Sequence, residues 1–196
     1  MKAYSGFEAK ASTGRMNSLP VGAYVAVIKA AKVDGKEPDE TLILRLDIAE
    51  GPYANYYVDR YNREVKAAAG KYEPRYKGDF RLRIPNDDNK KALYPDSDKH
   101  KFNDFVGRIQ DSNPGYHWDW DEKSLKGLLI GVSTQLDEYN GVPFTRLARL
   151  ETVDAVRNGV VQPMPPRNRD GQVSRQQPVD QQTGFTQVED HPELPW

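Results

Sequence analysis

Thr41-Leu42-Ile43-Leu44-Arg45-Leu46-Asp47-Ile48-Ala49 is the stretch on which the fold turns. Leu42, Leu44, Leu46 and Ile48 alternate with Thr41, Ile43, Arg45 and Asp47. That period of two belongs to a half-buried strand. Upstream, Leu19-Pro20-Val21-Gly22 turns the chain into a β-branched and aromatic run from Tyr24 to Val33, closed by the turn Asp34-Gly35-Lys36-Glu37-Pro38-Asp39. Downstream, Gly51-Pro52 ends the second strand and Tyr53 to Tyr61 reads as a third. Asn62 to Gly70 fits a loop or one helical turn. Tyr72 to Ile84 fits a strand interrupted by Pro74 and Gly78. Asp96-Ser97-Asp98 is an N-cap cluster ahead of Phe102, Phe105, Val106 and Ile109, whose spacings of three and four share one helical face. Asn113-Pro114-Gly115 stops that helix. Leu128 to Leu136 and Pro143 to Leu150 are strands joined by Glu138-Tyr139-Asn140-Gly141, with the Asn-Gly signal of a hairpin.

Strand, strand, strand, helix, strand, strand is the element order of an OB-fold. The expectation is a mainly β, five-stranded, partly open barrel with one capping helix between its third and fourth strands. An SH3-like barrel or a small α+β sandwich gives a similar string. Residues 1–18 read as a flexible arm and 19–160 as the domain. Residues 161–196, opening with Gln162-Pro163-Met164-Pro165-Pro166, read as a disordered tail too poor in apolar side chains to offset its ordering entropy.

Composition limits what the chain does. Of 196 residues 37% are hydrophobic, and the formal net charge is -1. The absence of cysteine excludes disulfides and thiolate catalysis and fits a reducing compartment. His100, His117 and His191 have no metal-ligand spacing. No phosphate-cradling glycine loop and no nucleophile-plus-base pattern occurs, so no enzyme activity, cofactor or metal is expected. With no apolar leader and no window of about 18 apolar residues, the expected setting is the cytoplasm, without membrane contact.

Two constellations remain, and a third at the end of the chain. Between residues 56 and 83, Tyr56, Tyr57, Tyr61, Tyr72, Tyr76 and Phe80 interleave with Arg60, Arg63, Lys66, Lys71, Arg75, Lys77, Arg81 and Arg83. Single-stranded DNA offers a line of phosphates for cations and a row of base faces for flat rings, each stacked base contributing roughly 1–3 kcal/mol. Core packing of the tyrosines and a solvated charged face are the plainer alternative. In Ser112-Asn113-Pro114-Gly115-Tyr116-His117-Trp118-Asp119-Trp120-Asp121-Glu122, Trp118 and Trp120 either stack on bases or cap the core. Asp119, Asp121 and Glu122 are a weak nuclease-like metal set; a solvated loop explains them better. Finally, Glu189, Asp190 and Glu193 lead into Leu194-Pro195-Trp196. That acidic, apolar tip suits docking into a basic-rimmed hydrophobic pocket on a partner. Non-catalytic, sequence-independent binding of single-stranded DNA follows, with a β-barrel protein–protein adaptor as the alternative. Homo-oligomerisation and RNA binding stay open.

Glu193-Leu194-Pro195-Trp196 resembles the acidic tip of bacterial single-stranded DNA-binding proteins. The body is similar to a phage-encoded family of single-stranded DNA-binding proteins. The similarity lies in Leu19-Pro20-Val21-Gly22-Ala23-Tyr24, Ile48-Ala49-Glu50-Gly51-Pro52-Tyr53, Ser112-Asn113-Pro114-Gly115-Tyr116 with Trp118-Asp119-Trp120-Asp121-Glu122, Leu125-Lys126-Gly127, Glu138-Tyr139-Asn140-Gly141 and Val153-Asp154-Ala155-Val156-Arg157-Asn158-Gly159. The resemblance implies an OB-type core and a role in phage DNA replication or recombination inside a bacterial host cell. It also implies a partner such as a recombinase, helicase or polymerase at the C-terminal tip.

Overall fold

The computed structural model describes residues 18–86 and 95–167. The expected arm before Ser18, and the tail from residue 168 with Glu189, Asp190, Glu193, Leu194, Pro195 and Trp196, lie outside them. Five strands, β1 (Ala23–Asp34), β2 (Thr41–Ile48), β3 (Asp79–Arg83), β4 (Leu129–Tyr139) and β5 (Val142–Glu151), form one antiparallel sheet in the order β3-β2-β1-β4-β5. The sheet is not closed: β3 and β5 are its two edges. The helices are α1 (Tyr56–Ala68), α2 (Pro95–Ser112) and α3 (Val153–Arg157), with a 3-10 turn at Glu122–Leu125. Among the described residues no helix is long and apolar enough to cross a membrane.

β1 is central because it is long enough to serve two neighbours. Ala23–Val27 pairs with β4 and Ala26–Asp34 with β2. The register with β2 shifts between Ile28 and Ala30, an irregularity that bends a strand. The freed Ile28 backbone groups are taken up by Leu128 O and Gly127 N at 2.9 and 2.8 Å. Leu42, Leu44, Leu46 and Ile48 of β2 are at most 1% exposed, as the alternation predicts, but Ile43 and Asp47 on its other face are buried too, at 4% and 0%, leaving only Arg45 exposed. Across from the first four, α2 contributes Phe102, Phe105 and Ile109, each at most 2% exposed. Each such side chain contributes roughly 1.5–3 kcal/mol on burial. Asn113 fastens the end of α2 to β4: its Nδ2 donates to Ile109 O and Leu129 O, and its Oδ1 accepts from Leu129 N. That gives Ser112-Asn113-Pro114-Gly115 a structural purpose.

The third strand is not at Tyr53 to Tyr61, where the aromatic run suggested it. Tyr56–Ala68 is helical, and β3 comes later, at Asp79–Arg83. Tyr57, Tyr61, Glu64 and Ala68 recur at three- and four-residue spacings, which stack on one face of a helix and on neither face of a strand. That face lies on the sheet, with Tyr57 and Ala68 buried. Residues 161–167, expected to open the tail, lie against the sheet instead. Arg167 N donates to Leu136 O and Gln135 Nε2 to Pro165 O, both at 2.8 Å. Between the edges of β3 and β5 lies a cleft of about 340 Å³, its apolar lining including Phe80, Leu82, Phe105, Leu150 and Met164.

Candidate nucleic-acid interface

Exposure alternates along the chain from residue 74 to 78 and again from 81 to 83. Pro74, Tyr76, Gly78 and Leu82 are buried and Phe80 half-buried, while Arg75, Lys77, Arg81 and Arg83 are exposed, with half-buried Asp79 between them. Within β3, alternation at about 3.3 Å per residue puts Arg81 and Arg83 roughly 6.6 Å apart on its exposed face; Arg75 and Lys77 are exposed on the non-strand segment leading into it, where the chain bends at Lys77. Gly78 lets this segment lie close. A Cβ there would fall on the Leu46 carbonyl oxygen and 2.8 Å from the rings of Tyr57 and Tyr76, and Leu46 N donates to Gly78 O at 2.9 Å.

Beside β3, the outward face of the sheet continues through paired residues. Arg81 faces Ile43, which faces Lys32; Asp79 faces Arg45, which faces Ala30. A shallow depression of about 170 Å³ opens there, lined by Ala30, Ala31, Lys32, Ile43, Arg45 and Asp79. The Arg45 guanidinium lies 4.8 Å from the Tyr76 ring centroid, a cation–π distance. Its side-chain hydrogen bond with Asp79 raises its pKa further. Arg45, Ile43 and Lys32 were not among the residues the sequence singled out.

Carboxylates already sit on this face. Arg45 pairs with Asp79 at 3.1 Å, Arg81 with Asp34 at 3.9 Å, and Arg83 with Asp39 at 2.7 Å and Asp98 at 4.0 Å. These arginines are 40–49% exposed, so the pairs are weak and exchangeable. Arg75 and Lys77 have no ion-pair partner among the described residues.

The rings divide differently from the expectation. Tyr57 and Tyr76 are 5% and 7% exposed. They contact one another, and Tyr61 meets Tyr76 edge-on with centroids 5.8 Å apart. Burial raises both phenol pKa values well above the ordinary range. The Tyr76 hydroxyl donates to Leu46 O at 3.0 Å. As stacking surfaces for bases Tyr57 and Tyr76 are therefore withdrawn, because their faces complete the packing between α1 and β2. Tyr56 is half-buried and its hydroxyl accepts from Leu19 N. Tyr61 is half-buried, and Tyr72 is 62% exposed. Arg60 is held along the helix by Glu64 at 2.9 Å. Arg63, Lys66 and Lys71 are exposed, on α1 and the turn that follows it.

Under α1 lies Asp47, a carboxylate at 0% exposure. Its Oδ1 accepts from Tyr57 N and Ile48 N, both at 2.9 Å. Asn55, at the helix start, makes no side-chain cap, so a strand residue satisfies the first turn. Desolvation is the largest influence on Asp47 and raises its pKa, against the pull of those backbone amides. An acid whose pKa is raised by folding favours the fold at low pH and loses that contribution as pH rises through the folded value. Asp47→Asn keeps the accepting oxygen, so stability near neutral pH should hold or rise. Asp47→Ala should cost about 1–3 kcal/mol, the penalty of unpaired buried amides. Urea titrations at pH 5 and pH 8 measure both. An Asn variant as damaged as the Ala variant would show that the charge itself is needed.

Trp118 is half-buried and meets Phe105 edge-on. Trp120 is 71% exposed, its ring nearly parallel to that of Phe102 at 5.9 Å. The Trp120 backbone has φ of 65°, a left-handed conformation that costs a bulky residue roughly 1–3 kcal/mol. Hydrogen bonds enforce it. Asp119 Oδ1 accepts from Asp121 N and Ser124 Oγ, and Asp121 Oδ1 from Lys123 N. Asp119 and Asp121, two of the three acids considered for a metal, thus hold a turn. Among the described residues no group of three or more His, Asp or Glu side chains could hold a metal ion. Compared with known proteins, the chain matches no family model and no curated protein.

Proposed function

We propose that this protein binds single-stranded DNA without regard to sequence, along the outward face of β1, β2 and β3. The observation that carries the proposal is the run of exposed cations Arg75, Lys77, Arg81 and Arg83, on β3 and the segment leading into it, together with the Arg45 depression. Exposed cations following one another along the chain suit a row of phosphates, and the depression beside exposed Ala30 and Arg45 gives an unpaired base a place to lie. The strand order β3-β2-β1-β4-β5 fits an OB-type barrel left open between β3 and β5, with α2 at its end. In this proposal the chain acts in phage DNA replication or recombination within a bacterial cell, and its C-terminal tip recruits a protein partner. The withdrawal of Tyr57 and Tyr76 favours one rival, a protein–protein adaptor that touches DNA little, since it removes two stacking surfaces. Anisotropy of labelled oligo-dT, duplex and RNA at two salt concentrations separates the two. No signal on oligo-dT at low salt would leave the adaptor.

The resident carboxylates supply a sharper test. They compete with phosphate for the same guanidinium groups. Replacing Asp34, Asp39 and Asp79 together with Asn should tighten oligo-dT binding several-fold at 50 mM salt, with the gain shrinking as salt rises. Unchanged affinity would put the DNA on another surface.

A further inference from the structure

Two exposed patches contribute none of the residues of the proposed DNA path. One surrounds Trp120, the most exposed of the large apolar residues described, at 71%. Its ring is fixed on Phe102 and its left-handed backbone is held by the Asp119, Asp121 and Ser124 hydrogen bonds. Asp119, Asp121 and Glu122 flank it. A carboxylate cluster repels phosphate, so this rigid indole is poorly placed for a DNA base and well placed for a cation. The second patch is the outer face of α1. Arg63 and Lys66 stand one turn apart, Val65 beside them is 42% exposed, and Lys71 and Tyr72 follow the helix, with Tyr72 62% exposed.

We infer that the Trp120 patch of one copy docks on the α1 patch of the next. The indole face receives an ammonium or guanidinium group and covers Val65 or Tyr72, while the three carboxylates meet Arg63, Lys66 and Lys71. The two surfaces differ, so the contact is head-to-tail and repeats into a chain rather than closing as a symmetric pair. Lys123 on one side and Asp59 and exposed Glu73 on the other subtract from the match and keep each contact weak. Along a long DNA strand, such contacts would make binding cooperative. The contact itself needs no DNA, so its failure is separable from failure of the DNA-binding proposal.

Sedimentation velocity of the full chain without DNA, at low salt and rising concentration, tests it. The wild type should sediment faster as concentration rises. Trp120→Gly, whose backbone conformation glycine adopts freely, and Lys66→Glu should each stay monomeric. Mixed in equal amounts, these two variants should form pairs and nothing larger, because each retains one intact patch. Circular dichroism checks the fold of Trp120→Gly, and Glu122→Lys provides a second lesion in the same patch. A wild type that stays monomeric throughout would overturn the inference. So would a Trp120→Gly protein that associates like the wild type, or a mixture that never pairs.

Discussion

Replacing Arg75, Lys77, Arg81 and Arg83 together with alanine should weaken oligo-dT binding about four-thousandfold at 50 mM salt. Each phosphate neutralised on a single strand contributes about −0.7 to the slope of log affinity against log salt. At 50 mM that is just under one logarithmic unit per contact relative to molar salt, and four contacts multiply. The slope itself should fall by about 3, so wild type and variant should converge as salt approaches 1 M. Stability should barely move, since all four side chains are exposed and exposed ion pairs contribute little. A variant binding within threefold of wild type, with an unchanged slope, would show that phosphates do not run along these cations.

The largest effect on stability belongs to Phe105. It is 1% exposed, meets Phe102 and Trp118 edge-on, and forms part of the floor of the cleft between β3 and β5. Phe105→Ala should cost about 3–5 kcal/mol, combining lost transfer energy with the cavity left behind. For a chain of this size that lowers the thermal midpoint by roughly 10 °C or more. Urea unfolding followed by far-UV circular dichroism measures it. A loss under 1 kcal/mol would mean that α2 is not anchored through this ring.

What the sequence made legible follows from what periodicity encodes. β2, α2 and the β4–β5 hairpin were legible because their apolar residues repeat cleanly at two or at three and four, or because Asn140-Gly141 marks the turn. α1 was not. Tyr56, Tyr57 and Tyr61 carry β propensity, and the decisive helical pattern depends on small Ala68 and polar Glu64, which no hydrophobic scan weights. The sheet order was also out of reach, because the bent β1 pairs with residues more than a hundred positions away. At the site, the cations between 75 and 83 were visible, but Pro74 and Gly78 hid how closely the segment ahead of β3 lies on its neighbours. Both are inward positions, and Gly78 is where the backbone presses on Leu46. A ring next to a cation in sequence does not reveal which side of the sheet it occupies, so Tyr57 and Tyr76 were misplaced outward. Arg45 was legible in principle: it occupies an outward position of the clearest strand in the chain.

The two-sided use of β1 also governs how the molecule comes into being on the ribosome. Its pairing with β2 needs only neighbouring sequence, but Ala23 must wait for Ser133. Until β4 has emerged, half of β1 has no mate and Ile28 and Val25 have no finished interior to enter. Long-range closure of this kind makes maturation slow. The growing chain therefore passes through a stage with exposed apolar surface, when chaperones have most reason to bind it.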